Sequence, residues 1–406
     1  MKRYYNHLFI SIAAAAMVPG IYLRLAGVET APWVAALVSG IAILGASFLL
    51  LWACDAAQKD IPQALALAVV ALIAVLPEYA VSMYFTWEAG QHPDGPYAQY
   101  TVANMTGGNR LIIGLAWALV AVLYWVKFRS PVRIEEERRT ELLFLGAATA
   151  YAFVIPLKNT LAWYDGIVLL GLYVWYIRIA GKRSVVEIEE GGPAALVMAL
   201  PKNPRRIATS AMFLAAAAAI AANAKPFSEG LVGTGKILHV NEFFLVQWLA
   251  PVASEAPEFL VATAFALRGQ GGVALGSLLS SKLNQWSLLV GMIPWVYAWS
   301  LGSLSHPIPM GDFQMREILL TAAQSLLAVI ILSAMRLTIW EGLLLFVLFA
   351  GQLMSPVFVA SLPEGKLFGT SGLVIHWMFS GIYIALSAAF LIVRPRRVTH
   401  LWRGIR

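Results

Sequence analysis

Pro77-Glu78-Tyr79-Ala80-Val81 and Pro257-Glu258-Phe259-Leu260-Val261 carry one pattern twice, each time inside an apolar segment of helix length. Proline removes a backbone donor and breaks the helical ladder, and a carboxylate beside it is costly in hydrocarbon. Met once, the combination is an oddity. Met twice, it marks a duplicated structure built around a polar site.

The composition around the two stretches sets their surroundings. Of 406 residues, 60% are hydrophobic and only 13% charged, which is too little polar surface for a water-soluble domain of this length. Apolar segments of spanning length fall near 8–25, 31–57, 61–88, 98–127, 139–157, 160–180, 206–224, 236–267, 271–300, 314–335, 337–360 and 371–393. Each approaches the ~20 residues that a helix needs to cross the hydrocarbon core. None alternates with a period of two, so a membrane barrel does not fit. The expected fold is all-α and polytopic, with about twelve crossings. The opening Met1-Lys2-Arg3 ahead of an apolar run has the look of a secretory signal. Pro19 and Arg24 interrupt that run, and it is read as a retained first span. The single cysteine, Cys54, excludes a disulfide framework and any cysteine-rich metal site.

Lysine and arginine fix an expected orientation. With both termini cytoplasmic, only Arg24, Lys158, Lys225, Lys236, Arg316 and Lys366 of the 29 basic residues fall outside, and Arg110 and Lys282 fall within spans. The net charge of +7 is thus a topology signal, and nucleic acid is not an expected partner. The expected location is the inner cell membrane, with the lipid bilayer and inorganic cations as partners. The oligomeric state is left open. The longest polar connection divides the chain into an N-terminal half, 1–180, a cytoplasmic linker, 181–205, and a C-terminal half, 206–406. A short amphipathic piece is expected around Ala194 to Leu200. By the span count, segment 61–88 crosses outward and segment 236–267 inward, so the repeats are inverted.

These segments resemble the alpha repeats of the calcium:cation antiporter superfamily, of which the sodium/calcium exchangers are members. The second copy reads Ala253-Ser254-Glu255-Ala256-Pro257-Glu258, followed by Gly276-Ser277-Leu278-Leu279-Ser280-Ser281-Lys282-Leu283-Asn284-Gln285; the first reads Val75-Leu76-Pro77-Glu78, followed by Asn104-Met105-Thr106-Gly107-Gly108-Asn109-Arg110. The likeness covers roughly 61–127 and 236–300. It implies two inverted five-helix repeats with one extra helix at each end. It also implies an antiporter that works by alternating access, with Glu78 and Glu258 as the central metal ligands and Glu255, Thr106, Asn109, Ser281, Asn284 and Gln285 completing the ion site. Ca2+ exchanged against Na+ or H+ is the function implied, with these cations as substrates and no cofactor. Pairing Asn109 with Asn284 is the preferred register, because it keeps an oxygen in both repeats. The other register pairs Gly107 with Ser280 and Asn109 with Lys282.

Two departures from the family pattern matter. Arg110 and Lys282 stand where small or amide residues are usual, and a fixed cation opposes a divalent ion at low dielectric. This leaves a second reading open, a Na+/H+ antiporter in which Arg110 or Lys282 replaces a bound cation. A structural reading also stands, in which the two cations neutralise Glu78 and Glu255 as buried pairs. Glu255 and Glu258, three apart, share a helix face and either converge on one ion or repel until one takes a proton. The amides serve equally as interhelical glue. Asp55 and Glu341 fall near span ends and read as interfacial, and His376 reads as a packed or hydrogen-bonded residue of the last span, with a proton-relay role as the alternative. No dinucleotide fingerprint, phosphate loop, zinc-protease motif or nucleophile triad is present. The chain is read as a transporter and not as an enzyme. An intramembrane enzyme using Glu78 or Glu258 as base, and a channel or scaffold, are the competing classes.

Overall fold

A computed structural model describes residues 2–60, 75–180, 192–360, 366–367 and 370–393. Helices dominate, as the long apolar runs require once every backbone amide must find a partner within its own segment. In chain order they are α1 (Lys2–Leu25), α2 (Pro32–Ala57), α3 (Leu76–Gln91), α4 (Tyr97–Leu111), α5 (Ala118–Phe128), α6 (Arg139–Ala152), α7 (Val154–Lys158), α8 (Trp163–Ala180), α9 (Ala194–Met198), α10 (Lys202–Leu238), α11 (Glu242–Leu267), α12 (Gly271–Asn284), α13 (Val290–Leu301), α14 (Asp312–Leu332), α15 (Ile339–Ala360) and α16 (Gly372–Val393). Two π-helical segments, Ile112–Trp117 and Gln285–Leu289, join α4 to α5 and α12 to α13. Among the described residues seven helical stretches are long and apolar enough to cross a membrane. The other apolar helices are shorter or are interrupted by prolines, charges or π turns. The part of the expected third span over 61–74 and the linker residues 181–191 lie outside the described residues.

One expected boundary moves. The sequence suggested a break after residue 224, yet α10 runs on through Pro226 to Leu238 and ends at His239, whose φ is +51°. An i,i+4 pair, Lys225 with Glu229 at 3.6 Å, supports the helical continuation, and the Tyr84 hydroxyl donates to Glu229 at 2.7 Å. The expected amphipathic piece is the helix α9, which buries Ala194, Val197 and Met198.

The chain forms two compact units, 1–88 with 177–257, and 89–176 with 258–406. Each takes pieces from both halves of the sequence, so the units cut across the expected 1–180 and 206–406 division. In the first unit α1, α2 and α10 pack through Met17, Ala46, Leu49, Leu50, Ala216, Ala219 and Ile220. Small residues let backbones approach: a Cβ added to Gly230 would stand 2.6 Å from the Ala36 amide nitrogen. At the end of α2, Asp60 takes two hydrogen bonds from Arg205, at 2.7 and 2.9 Å, and one from Arg206 at 3.2 Å. These donors, Arg205 foremost, hold the Asp60 carboxyl below the usual carboxylate range.

The second unit is built around α14. Its apolar stretch is 83% buried, and it packs against α4, α6 and α16. A short antiparallel pair, β1 (Val132–Arg133) with β2 (Arg336–Leu337), ties two connections together. Glu341 closes a capping box at the start of α15, its carboxylate accepting from the Thr338 amide at 2.9 Å and hydroxyl at 2.8 Å. That places Glu341 in helix capping.

Candidate functional site

In the first unit the site begins with Glu78. It lies in the first turn of α3 directly after Pro77, where a missing N–H costs nothing and the helix dipole favours an anion. Its side chain is 3% exposed. Glu255 belongs to the same unit and is buried to 2% in α11, between Pro251 and Pro257. Each proline denies a helical N–H to the carbonyl four residues earlier, that of Gln247 and that of Ala253, so the turn carrying Glu255 offers backbone oxygen as well as carboxylate.

Glu258, the second half of the repeated Pro-Glu pattern, falls in the other unit. It is half-buried and accepts a hydrogen bond from Ser281 at 2.5 Å. The structure therefore brings Glu258 and Ser281 together. The deeper of the two α11 carboxylates is Glu255.

The remaining predicted residues lie on α4, on α12 and at the start of the second π segment, and all are nearly inaccessible. Thr106 donates to the Val102 carbonyl at 2.7 Å, a back-bond that leaves its oxygen lone pairs for another partner. Asn109 donates from Nδ2 to Met105 at 2.8 Å, and its Oδ1 accepts from Lys282 Nζ at 2.7 Å. Lys282 also reaches the Asn109 carbonyl at 3.2 Å and sits 4.6 Å from the centre of the Trp286 ring. Asn284 is 4% exposed, and Gln285, at 1%, opens the second π segment.

The π segments correct the register. They start at Ile112 and Gln285, an offset that pairs Asn109 with Lys282 and Gly107 with Ser280. This is the pairing not preferred from the sequence. Direct contact between Asn109 and Lys282 agrees with it, since residues exchanged by a two-fold axis touch only where the axis passes. The packing is reciprocal as well, α4 against the second π segment and α12 against the first. Preference for an oxygen at both positions misled the sequence alignment, because the repeats have diverged there to an amide and an ammonium that bind one another.

Arg110 also departs from expectation. Its guanidinium forms an ion pair with Glu317 of α14, both side chains 2% exposed, while Nε donates to the Thr106 carbonyl at 3.3 Å. Glu317 in turn receives His376 Nε2 of α16 at 2.6 Å. Gln324 donates to the Arg110 carbonyl at 3.2 Å, and Gln352 to Gln324 at 3.2 Å. The sequence reading did not single out Glu317. A lone acid near the end of a span reads as interfacial, although Glu317, Thr321 and Gln324 form a polar stripe at helical spacing. A second cluster anchors the other motif helix: Glu141 accepts from Arg138 at 2.8 Å, Tyr176 at 3.0 Å and Ser280 at 3.0 Å. Among the described residues no three His, Cys, Asp or Glu side chains gather as a resident metal centre would require.

Paired acid-bearing helices with a proline beside the acid, and paired motif helices each running into a π segment, define a helical membrane transport protein built on a repeat. The chain belongs to the sodium/calcium exchanger protein family, whose sequence profile matches residues 31–181 and again 209–358. It is a multi-pass antiport protein of the calcium:cation antiporter superfamily. It is similar to the crystal structure of the H+/Ca2+ exchanger CAX, with 38% identity and a TM-score of 0.91, over 99% of this chain and 98% of that one. The sodium-calcium exchanger NCX_Mj, in crystals soaked with Na+ and Sr2+, shares the fold at 20% identity and a TM-score of 0.54, over 82% of this chain and 100% of that one. An uncharacterised membrane protein of Methanocaldococcus jannaschii is 25% identical over 281 residues, 69% of this chain and 82% of its own length.

Proposed function

We propose that this chain exchanges Ca2+ for protons across the inner cell membrane by alternating access. The observation that carries the reading is its 38% identity, over nearly its whole length, with a solved H+/Ca2+ exchanger. The chemistry of the residues supports it. Ca2+ takes oxygen ligands, and two carboxylates balance either one Ca2+ or two protons, so a site with Glu78 and Glu255 at its centre can exchange them without accumulating charge. Backbone carbonyls freed by Pro251 and Pro257, in the same unit as the two carboxylates, supply further oxygens. No covalent step is needed. Protons compete with the metal for the same carboxylate oxygens, and only the loaded or doubly protonated site is free of a large buried charge.

The fixed cations fit this proposal unequally. Glu317 neutralises Arg110, so its opposition to a divalent ion is much smaller than that of a bare guanidinium. Lys282 favours the second reading, Na+/H+ exchange, because its ammonium holds the Asn109 amide oxygen that a transported cation would use. The strong inward bias of lysine and arginine supports cytoplasmic termini, and the polar stretch 181–205 serves in this proposal as the cytoplasmic link between inverted repeats. Proteoliposomes test the readings directly. Ca2+ uptake driven by an outward proton gradient, lost in Glu78→Gln and Glu255→Gln, is the expected result. Uptake of Na+ alone would favour the second reading.

A further inference from the structure

The buried cluster around Glu317 is separate from the carboxylates of the repeated motif, and it joins three helices of the second unit. Arg110 comes from α4, Glu317 from α14 and His376 from α16. Glu317 is 1% exposed and His376 8%. The Phe313 ring meets the His376 ring edge-on at 5.3 Å, and Tyr383 lies one helix face along α16, within electrostatic reach of Arg110.

The hydrogen bonding fixes the tautomer. An ionised carboxylate only accepts, so the nitrogen 2.6 Å from Glu317, Nε2, carries a proton. Nδ1 is buried and has no hydrogen-bond partner among the described residues. Neither have Tyr383 OH of α16, Gln352 Oε1 of α15 and Ser325 Oγ of α14. Buried polar atoms are otherwise almost always paired. With a neutral imidazole the cluster is balanced, one guanidinium against one carboxylate. A proton added at Nδ1 gives two cations to a single carboxylate.

We propose that Arg110, Glu317 and His376 form a second proton-binding site, which takes its proton at His376 Nδ1 and acts on transport through Arg110. Glu317 is shared between guanidinium and imidazole. Charging the imidazole strengthens its hold on Glu317 and weakens that of Arg110. Arg110 follows Asn109 directly and bonds the Thr106 carbonyl, so the loosened guanidinium returns positive charge to the helix that carries Thr106 and Asn109. Proton concentration then sets cation affinity at a distance, beyond direct competition at the motif carboxylates.

The other charged groups facing α16 do not duplicate this role. On α14, Asp312 stands at the helix start and Arg316 lies over the Trp377 ring at 5.9 Å. On α15, Glu341 caps its own helix. The short strand Thr370–Ser371, just before α16, has no titratable group. Within α16 itself only His376 and Tyr383 titrate.

The effect on transport rests on the proposed Ca2+/H+ exchange, whereas proton binding does not, and the two are measured separately. Glutamine at 376 keeps an N–H for Glu317 but cannot take a proton. In proteoliposomes, His376→Gln is expected to lower the slope of log KM for Ca2+ against pH by up to about one between about pH 5 and pH 8. An unchanged slope overturns the coupling. Independently, wild-type protein with 13C-labelled histidine shows six ring signals, and the one lost in His376→Gln is expected to titrate in that window and to shift its midpoint in Glu317→Gln. A signal that stays constant through the window overturns the proton site. If wild-type vesicles move no Ca2+, the transport reading falls while the ring titration still decides the site.

Discussion

Glu317→Gln and Arg110→Gln remove the two ends of one ion pair, yet the structure makes them unequal. Both side chains are 2% exposed, so either loss occurs out of reach of bulk water. Without Glu317 the guanidinium stays buried with its neutralising anion gone, a situation that costs about 3–5 kcal/mol. Without Arg110 the carboxylate keeps His376 Nε2 at 2.6 Å, a charge-assisted bond worth about 1.5–3 kcal/mol, so the net cost falls to about 1–3 kcal/mol. The double variant carries two neutral amides and no stranded charge, and is expected to be more stable than Glu317→Gln alone. Thermal unfolding in detergent, followed through the fourteen tryptophans, reads the order directly. The expected ranking of midpoints is wild type, Arg110→Gln, double variant, Glu317→Gln. Equal losses in the two single variants, or a double variant whose loss is their sum, would refute the reasoning.

Three further outcomes follow from other parts of the molecule. Gly230→Ala drives a methyl to 2.6 Å from the Ala36 amide and 2.8 Å from the Pro32 carbonyl, and is expected to destabilise by about 1–3 kcal/mol in the same melting assay; Gly171→Ala, with open space around its Cβ, is expected to be neutral or slightly stabilising. Asp60 is ionised more readily in the folded protein than in the unfolded chain, so its contribution is complete above the unfolded value near ~3.9 and is lost as pH falls through the lower folded value. Asp60→Asn should therefore lower the midpoint at neutral pH and remove part of its decline in acid, as a pH series of melts will read. Ser281→Ala removes the donor that holds Glu258, and a raised KM for Ca2+ in flux assays is the expected effect if Glu258 contributes to the site.

How much was legible in the sequence depends on which physical signal each residue leaves. The apolar runs gave helices because hydrocarbon permits little else, and the repeated Pro-Glu pattern marked two proline-flanked, acid-bearing turns, although α11 runs unbroken from Glu242 to Leu267. Glu78 and Glu255 were both singled out, and both are buried to 3% or less. Which of the two α11 carboxylates lies deeper was not legible, because residues three apart on a helix share a face and only packing shows that Glu255 is the more buried. The register of the second motif failed for another reason. A π turn is invisible in residue type, and chemical likeness drew Asn109 toward Asn284 while the fold set it against Lys282. Glu317 escaped notice because a carboxylate near a span end has an ordinary explanation. Its partners arrive from residues 110 and 376, separations that no local pattern encodes. His376, read as a packed or hydrogen-bonded side chain, is hydrogen-bonded, and its partner is Glu317.

The most direct test of the central claim is counterflow in sealed proteoliposomes of the purified wild-type chain, with Ca2+ outside, an acidic interior and no other exchangeable cation. The account predicts Ca2+ uptake that stops when a protonophore collapses the gradient and is absent in Glu78→Gln. Uptake that persists without the gradient, or folded protein that moves no Ca2+ in its presence, would contradict it.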